Sequence, residues 1–316
     1  LLLVVGMLFA VLPVNEVLAD WSTFDNPDYY YAEITTAPDG TYYRSAGFSP
    51  DGTKEIAQKA WGTQREIVLM DADGSNESII SPGDSGTGDI YGYMSPFWSD
   101  DVTTIGFVEV HQTTSNKVIA YDLATGTSSY IYEPTTGDVS NPDFLGASKT
   151  SIVFWAYGEG GNVADLWTWD GSTLTNITQT ADYKEYEPVS NSDGTKIVYW
   201  SGETTTEPTN TTHTLTLSGG SWVKDVGFTP IPDTYWSYWT TPAATQIATT
   251  RMASKDIEIY DATGAFVVDL SGSGYSGVSG QWNFFGSMPQ APNGEFVITS
   301  NAGRTLAGRD IVIANS

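Results

Sequence analysis

One short phrase returns six times along this chain, and its spacing constrains the fold more than any single residue does. The clearest copies are Phe48-Ser49-Pro50-Asp51-Gly52-Thr53-Lys54 and Asn191-Ser192-Asp193-Gly194-Thr195-Lys196-Ile197-Val198-Tyr199-Trp200. Weaker copies lie at Trp98-Ser99-Asp100-Asp101, Leu145-Gly146-Ala147-Ser148-Lys149, Thr241-Pro242-Ala243-Ala244-Thr245 and Gln290-Ala291-Pro292-Asn293-Gly294. An apolar residue follows each turn, at Ile56, Ile105, Ile152, Ile197, Ile247 and Val297, at intervals of 49, 47, 45, 50 and 50 residues. Such a period, rich in β-branched and aromatic residues, suits one four-stranded propeller blade. The expected fold is all-β, a six-bladed propeller of four-stranded antiparallel blades.

Each repeat reads as strand, turn, strand, loop, strand, hairpin, strand. The third strand is an apolar run ending in an acid: Ile67–Asp71, Val118–Asp122, Leu166–Asp170 and Ile257–Asp261. Turn residues follow, as in Ala72-Asp73-Gly74 and Ala262-Thr263-Gly264. The last copy stops after its third strand, Asp310–Ala314. The surplus strand-forming run Tyr29-Tyr30-Tyr31-Ala32-Glu33-Ile34-Thr35 is expected to supply the missing outer strand, with Tyr29, Tyr30, Tyr31 and Ile34 closing the ring. The chain therefore divides into a hydrophobic segment at 1–19, a linker at 20–28 and a propeller at 29–316.

The Phe-Ser-Pro-Asp-Gly-Thr-Lys phrase, followed by an apolar strand and an apolar-Asp-x-x-x-Gly hairpin, resembles the TolB-like propeller repeat from about residue 42 to 314. That resemblance implies six blades and closure by an N-terminal strand. It does not bring TolB's additional α/β domain, for which this chain has no room, nor TolB's partners.

Residues Leu1–Leu12 are apolar or glycine throughout, Pro13 ends the run, and Val17-Leu18-Ala19 precedes Asp20. As a signal h-region with cleavage after Ala19, the segment implies export. As a retained segment it forms at most a helix of about 18 Å, too short for a bilayer core of about 30 Å, so no membrane span is expected in the mature protein. A retained apolar N-terminus is similar to that of type IV pilin-like filament subunits, although Val5 stands where bacterial pilins usually carry glutamate. The leading expectation is an extracellular or cell-surface homopolymer, with Leu1, Leu2, Leu3, Val4, Val5, Met7, Leu8, Phe9, Val11 and Leu12 buried between copies. The alternative is a monomeric secreted or periplasmic module that binds a protein or ligand; a carbohydrate-active enzyme is the third reading.

With 38 acidic against 13 basic residues, a formal charge of −25, the surface repels nucleic acid and favours cations or basic partners. Cysteine is absent, so disulfides play no part. No catalytic residue and no cofactor is assigned. His111 and His213 sit in polar sequence that reads as loop, and no Gly-x-Ser-x-Gly elbow occurs. Asp71 and Asp73 alternate as in a calcium loop, but the distant glutamate is missing and a hairpin turn accounts for them. Three sequons, at Asn76, Asn176 and Asn210, are candidates for glycan attachment, Asn210 foremost because it lies in the polar stretch Thr204–Thr212. The aromatic runs Tyr235-Trp236-Ser237-Tyr238-Trp239 and Trp282-Asn283-Phe284-Phe285 are expected to alternate between the two faces of their strands.

Overall fold

The computed structural model describes residues 30–33, 41–61, 64–82, 89–134, 138–157, 164–180, 184–202, 210–240, 244–252, 257–269, 281–283, 295–301 and 310–315. The candidate assembly residues between Leu1 and Leu12, together with Tyr29 and Ile34, lie outside them.

After β1 (Tyr30–Glu33), the strands fall into consecutive antiparallel groups. The first blade holds β2 (Thr41–Phe48), β3 (Lys54–Trp61), β4 (Gln64–Asp71) and β5 (Ser78–Ile79). The second holds β6 (Ile90–Trp98), β7 (Thr104–His111), β8 (Lys117–Asp122) and β9 (Thr127–Tyr132). The third is β10 (Ser140–Phe144), β11 (Ile152–Tyr157), β12 (Ala164–Trp169) and β13 (Leu174–Asn176). The fourth is β14 (Lys184–Ser190), β15 (Lys196–Gly202), β16 (Thr211–Ser218) and β17 (Ser221–Lys224), with β18 (Ile231–Pro232) added beside β16. The fifth is β19 (Thr234–Trp239), β20 (Gln246–Arg251), β21 (Ile257–Asp261) and β22 (Phe266–Asp269).

These five blades make the chain an all-β propeller of four-stranded antiparallel blades. The remaining strands, β23 (Gln281–Asn283), β24 (Glu295–Asn301) and β25 (Asp310–Asn315), pair in the order β1-β25-β24-β23. Tyr30 stands opposite Asn315 and Tyr31 opposite Ala314 in that sheet, and β24 and β25 lie against β2.

The first strands of successive blades touch one another, β2 with β6, β6 with β10, β10 with β14 and β14 with β19. They therefore surround the axis, and the fourth strands lie outermost. The repeat's apolar position is the anchor of every described blade: Ile56, Ile105, Ile152, Ile197 and Ile247 are all fully buried. Their clusters lie between blades. Ile56 and Ile67 pack with Tyr93, Ile105 and Phe107 of the next blade; Val118 packs with Ile152 and Phe154; Val153 and Leu166 pack with Ile197 and Leu215. Indole hydrogen bonds cross the same seams, Trp98 Nε1 to Gly47 O at 3.0 Å and Trp169 Nε1 to Ile131 O at 2.9 Å.

The repeated phrase is a turn that satisfies its own polar groups. Asp51 Oδ1 accepts from Thr53 N at 3.1 Å, and Ser49 Oγ accepts from Lys54 N at 2.9 Å. Ser99, Asp101 and Thr103 repeat the arrangement, as do Asn191, Asp193 and Thr195. The turn needs a residue with positive φ after the aspartate. Gly52 (70°) and Gly194 (69°) provide it, while Val102 adopts 59° in the weaker second copy.

Two expectations are corrected. Thr211–Thr214 is not loop but the start of β16, buried, and His213 is only 2% exposed. Threonine's branched side chain suits a strand, and the hydroxyls bond across the seam: Thr212 Oγ1 with Thr234 Oγ1 at 2.7 Å and with Ser237 Oγ at 2.5 Å. Likewise His111 ends β7, with its ring between two carboxylates, Asp89 Oδ2 at 2.9 Å from Nδ1 and Glu109 Oε1 at 2.7 Å from Nε2.

Candidate functional site

The first strand of each blade is interrupted by a bulge, between Arg44 and Gly47, Met94 and Phe97, Ser140 and Asp143, Tyr186 and Val189, and Tyr235 and Ser237. In four of them one non-glycine residue takes a positive φ: Ser95 (50°), Asn141 (43°), Glu187 (50°) and Trp236 (41°). Such conformations cost of order 1–3 kcal/mol each and persist only where the surroundings hold them. Proline follows the first three, as Pro96, Pro142 and Pro188, and proline cannot donate to the ladder. The bulges thus aim one residue per blade out of register on the strand nearest the axis.

In the third and fourth blades the second strand holds that residue in place. Trp155 Nε1 donates to Asn141 Oδ1 at 3.2 Å, and Trp200 Nε1 donates to Glu187 Oε2 at 3.2 Å. Around these bonds runs an arc of six rings from three blades. Tyr157 meets Trp155 at 5.7 Å between centroids, Trp155 meets Tyr186 at 4.9 Å, and Tyr186 meets Trp200 at 4.5 Å. Trp200 then meets Tyr235 at 5.3 Å, and Tyr235 meets Trp236 at 5.2 Å. Unlike the fully buried isoleucines, all six rings belong to residues that keep solvent contact, Tyr157 the most at 46%. Tyr186 lies early in β14 and Trp200 late in β15, at the end of the blade remote from the Asn191–Thr195 turn.

Glu187 is deeply set among protein atoms, although part of the residue still reaches solvent. Burial pushes its carboxyl up to about 8, opposed only by the Trp200 indole. Burial likewise raises Tyr186 to about 12, with the Tyr157 hydroxyl beside it. Near the turn end of the same strands, Asp143 is pushed up to about 8 by burial while accepting from Ser190 N at 2.7 Å. There Gly146 packs against the Gly194 backbone so closely that a β-carbon would come within 2.8 Å.

Apart from the arc, a recess lies between the third and fourth blades. Ile177, Thr178, Glu185, His213, Trp222 and Lys224 help to line its ≈250 Å³. Glu185 there is raised to about 7 by burial and accepts from the Thr178 and Thr180 hydroxyls, both at 2.9 Å.

The residues singled out from sequence are not gathered at the arc. Asp71 accepts from Lys54 Nζ and Asn76 Nδ2, and Asp73 from Ser75, so both serve their hairpin turn. Among the described residues no three acids, histidines or cysteines form a group able to hold a metal ion. Asn76 is exposed on that turn. Asn176 donates its amide to Asp165 Oδ2 at 2.7 Å, and Asn210 is 4% exposed. The expected alternation of the Tyr235–Trp239 run also fails. Its bulge leaves Ser237, Tyr238 and Trp239 buried in succession and turns Tyr235 and Trp236 to the arc. The side chains of Trp282 and Asn283, and Phe284-Phe285 entirely, lie outside the described residues.

The arc was missed in the sequence, though one signal was there. Ser95-Pro96, Asn141-Pro142 and Glu187-Pro188 recur at intervals of 46 residues, in step with the blades.

No family model matches the chain, and no curated protein does. Among solved structures 643 chains match, so shape alone does not select a function. An oligogalacturonate lyase from Vibrio parahaemolyticus is similar over 93% of this chain and 95% of its own, at 13% identity and a TM-score of 0.58. TolB from Acinetobacter baumannii is similar over 90% of this chain at 14% identity and a TM-score of 0.54, and the match spans 65% of TolB. The putative TolB from Agrobacterium tumefaciens is 18% identical over 57% of this chain and 63% of its own, with a TM-score of 0.45. The chain has a TolB-like propeller fold, and these identities carry nothing finer.

Proposed function

We propose that this protein is a non-catalytic propeller module that binds a ligand or partner at the aromatic arc and works outside the cytoplasm. The carrying observation is the arc itself: six partly exposed rings beside strained, indole-held Asn141 and Glu187 on the axial strands. Rings destined only for packing gain most by complete burial, as Phe97, Phe107 and Phe154 show. Rings left open beside a few placed polar groups match the make-up of binding sites. A binding rather than glycosidic role is favoured because the two indole-held groups at the arc, Asn141 and Glu187, are one amide and one carboxyl, whereas glycosidic chemistry uses a pair of carboxyls. Export is supported by the apolar run Leu1–Leu12 and the small residue Ala19 before Asp20.

In this reading β23, β24, β25 and β1 make a sixth blade that closes the ring. The site is tested by ligand-detected NMR with a panel of soluble oligosaccharides and amines. Binding lost in Tyr186→Ala and Trp155→Ala supports the assignment. Binding that survives both substitutions, or release of cleaved products, contradicts it.

A second reading, a filament or surface-layer subunit, is favoured by the uncharged run Leu1–Leu12, which buried between copies would hold propellers together. Deletion of residues 1–19 followed by light scattering tests it. Loss of large assemblies supports the reading, and unchanged assemblies eliminate it.

A further inference from the structure

The enclosed acids of this protein differ in how well they are satisfied. Glu109, 2% exposed, has His111 Nε2 at 2.7 Å and the Tyr130 hydroxyl at 3.0 Å. Glu185 takes two threonine hydroxyls at 2.9 Å, and Asp143 a backbone N–H at 2.7 Å. Glu187 has one neutral donor at 3.2 Å and, among the described residues, no ion pair. Glu55 is still poorer in partners, but it is fully buried, so no ligand reaches it. Glu187 is an under-satisfied acid that solvent touches beside the ring arc, and it is held there by a strained backbone.

An enclosed carboxylate becomes favourable when a positive charge joins it. The surroundings suit such a charge, because the faces of tyrosine and tryptophan rings attract cations. This chain already uses that contact elsewhere, with Arg65 over Tyr91 at 4.5 Å and Lys117 over Tyr130 at 4.7 Å. Both lie in the first two blades. The chain's net charge of −25 adds a long-range field that concentrates cations near its surface.

We infer that the Glu187 carboxylate takes an organic cation, an ammonium or guanidinium group seated on it and against the neighbouring rings of Tyr186, Trp200, Tyr235 and Trp236. This rests on the reading of the arc as a binding site and names the ligand class. The cation can be a free amine or a basic side chain of a partner, and the chemistry at Glu187 is the same. A neutral sugar would use the rings but would leave the carboxylate without a counter-charge.

The test is calorimetry on the full chain in about 0.3 M NaCl, which screens the diffuse field. The probes are choline, Nα-acetylarginine amide and uncharged cellotetraose; choline binding reports a free amine, and acetylarginine amide alone reports a basic side chain. Glu187→Gln keeps the acceptor for Trp200 and removes only the charge, and its circular dichroism spectrum verifies folding. The expected result is binding of a cationic probe to the wild type, weakened about tenfold or more in Glu187→Gln. Equal cation affinity in Glu187→Gln overturns the inference. Binding of cellotetraose alone, lost in Tyr186→Ala, overturns the cation and leaves the binding site standing. No binding by any probe overturns the cation assignment, and a Tyr186 and Trp155 insensitivity to the wider ligand panel would separately remove the site.

Discussion

Trp200 on the second strand of the fourth blade donates its indole N–H to Glu187 on the first, at 3.2 Å, and that bond is the only donor described for this enclosed carboxylate. One blade earlier Trp155 makes the same bond to Asn141 at 3.2 Å. The pair is a natural control, since the geometry is shared and only the charge differs.

Replacing Trp200 by Phe removes a donor to an enclosed acid and is expected to cost about 1–3 kcal/mol. The donor favours the ionised carboxylate, so the loss should be larger at pH 9 than at pH 6. Trp155→Phe, facing a neutral amide, should show no such pH dependence. Urea denaturation of both variants at the two pH values checks this, and equal pH responses would contradict it.

The stability of the whole chain should peak near pH 4 to 5. Burial raises Asp143 and Glu187 to about 8, Glu185 to about 7 and Asp100 to about 6. Between the unfolded carboxylate range and those values the folded state holds more protons than the unfolded state, so stability falls as pH rises. The turn acids act oppositely. The hydroxyls of Thr195 and Thr263 hold Asp193 and Asp261 below their usual range, and their stabilisation is lost as pH falls through the lowered values. Thermal melts from pH 3 to 9 should show the maximum. Asp143→Asn should raise Tm at pH 9 and change it little at pH 4.5.

Gly106 in β7 is required by the Phe97 ring. A β-carbon there would lie 2.1 Å from Phe97 Cζ, and that ring is pinned against Phe144 of the next blade at 4.6 Å. Gly106→Ala should therefore destabilise by about 1–3 kcal/mol through overpacking. The double variant Gly106→Ala, Phe97→Leu should recover part of the loss in denaturant titration. No loss in the single variant would show that the seam between the second and third blades is loosely packed.

Much of the blade was legible because its signals are local. The turn phrase places Ile56, Ile105, Ile152, Ile197 and Ile247 at one position, and all are fully buried. Third strands ending in an acid appear where expected, as at Asp71, Asp122 and Asp261. Polar sequence was harder to read. Thr211–Thr214 resembles a loop by composition, yet its hydroxyls find partners across a seam that no local window reveals. The arc was hidden for a related reason. Tyr157, Trp200 and Tyr235 stand on three blades, and only the contact of first strands around the axis brings them together. The bulge at Tyr235–Ser237 further broke the two-residue alternation by which strand faces are read.

The most direct test of the binding account is indole N–H spectroscopy on ¹⁵N-tryptophan-labelled protein during addition of choline and, separately, of Nα-acetylarginine amide. The account predicts that the signals of Trp200 and Trp236 move together and saturate with at least one of the two cations. The signal of Trp98, buried and bonded to Gly47 O in the seam between the first two blades, should stay in place. Saturable movement of Trp98 without Trp200, or no saturable movement with either cation, would contradict a cation site at Glu187.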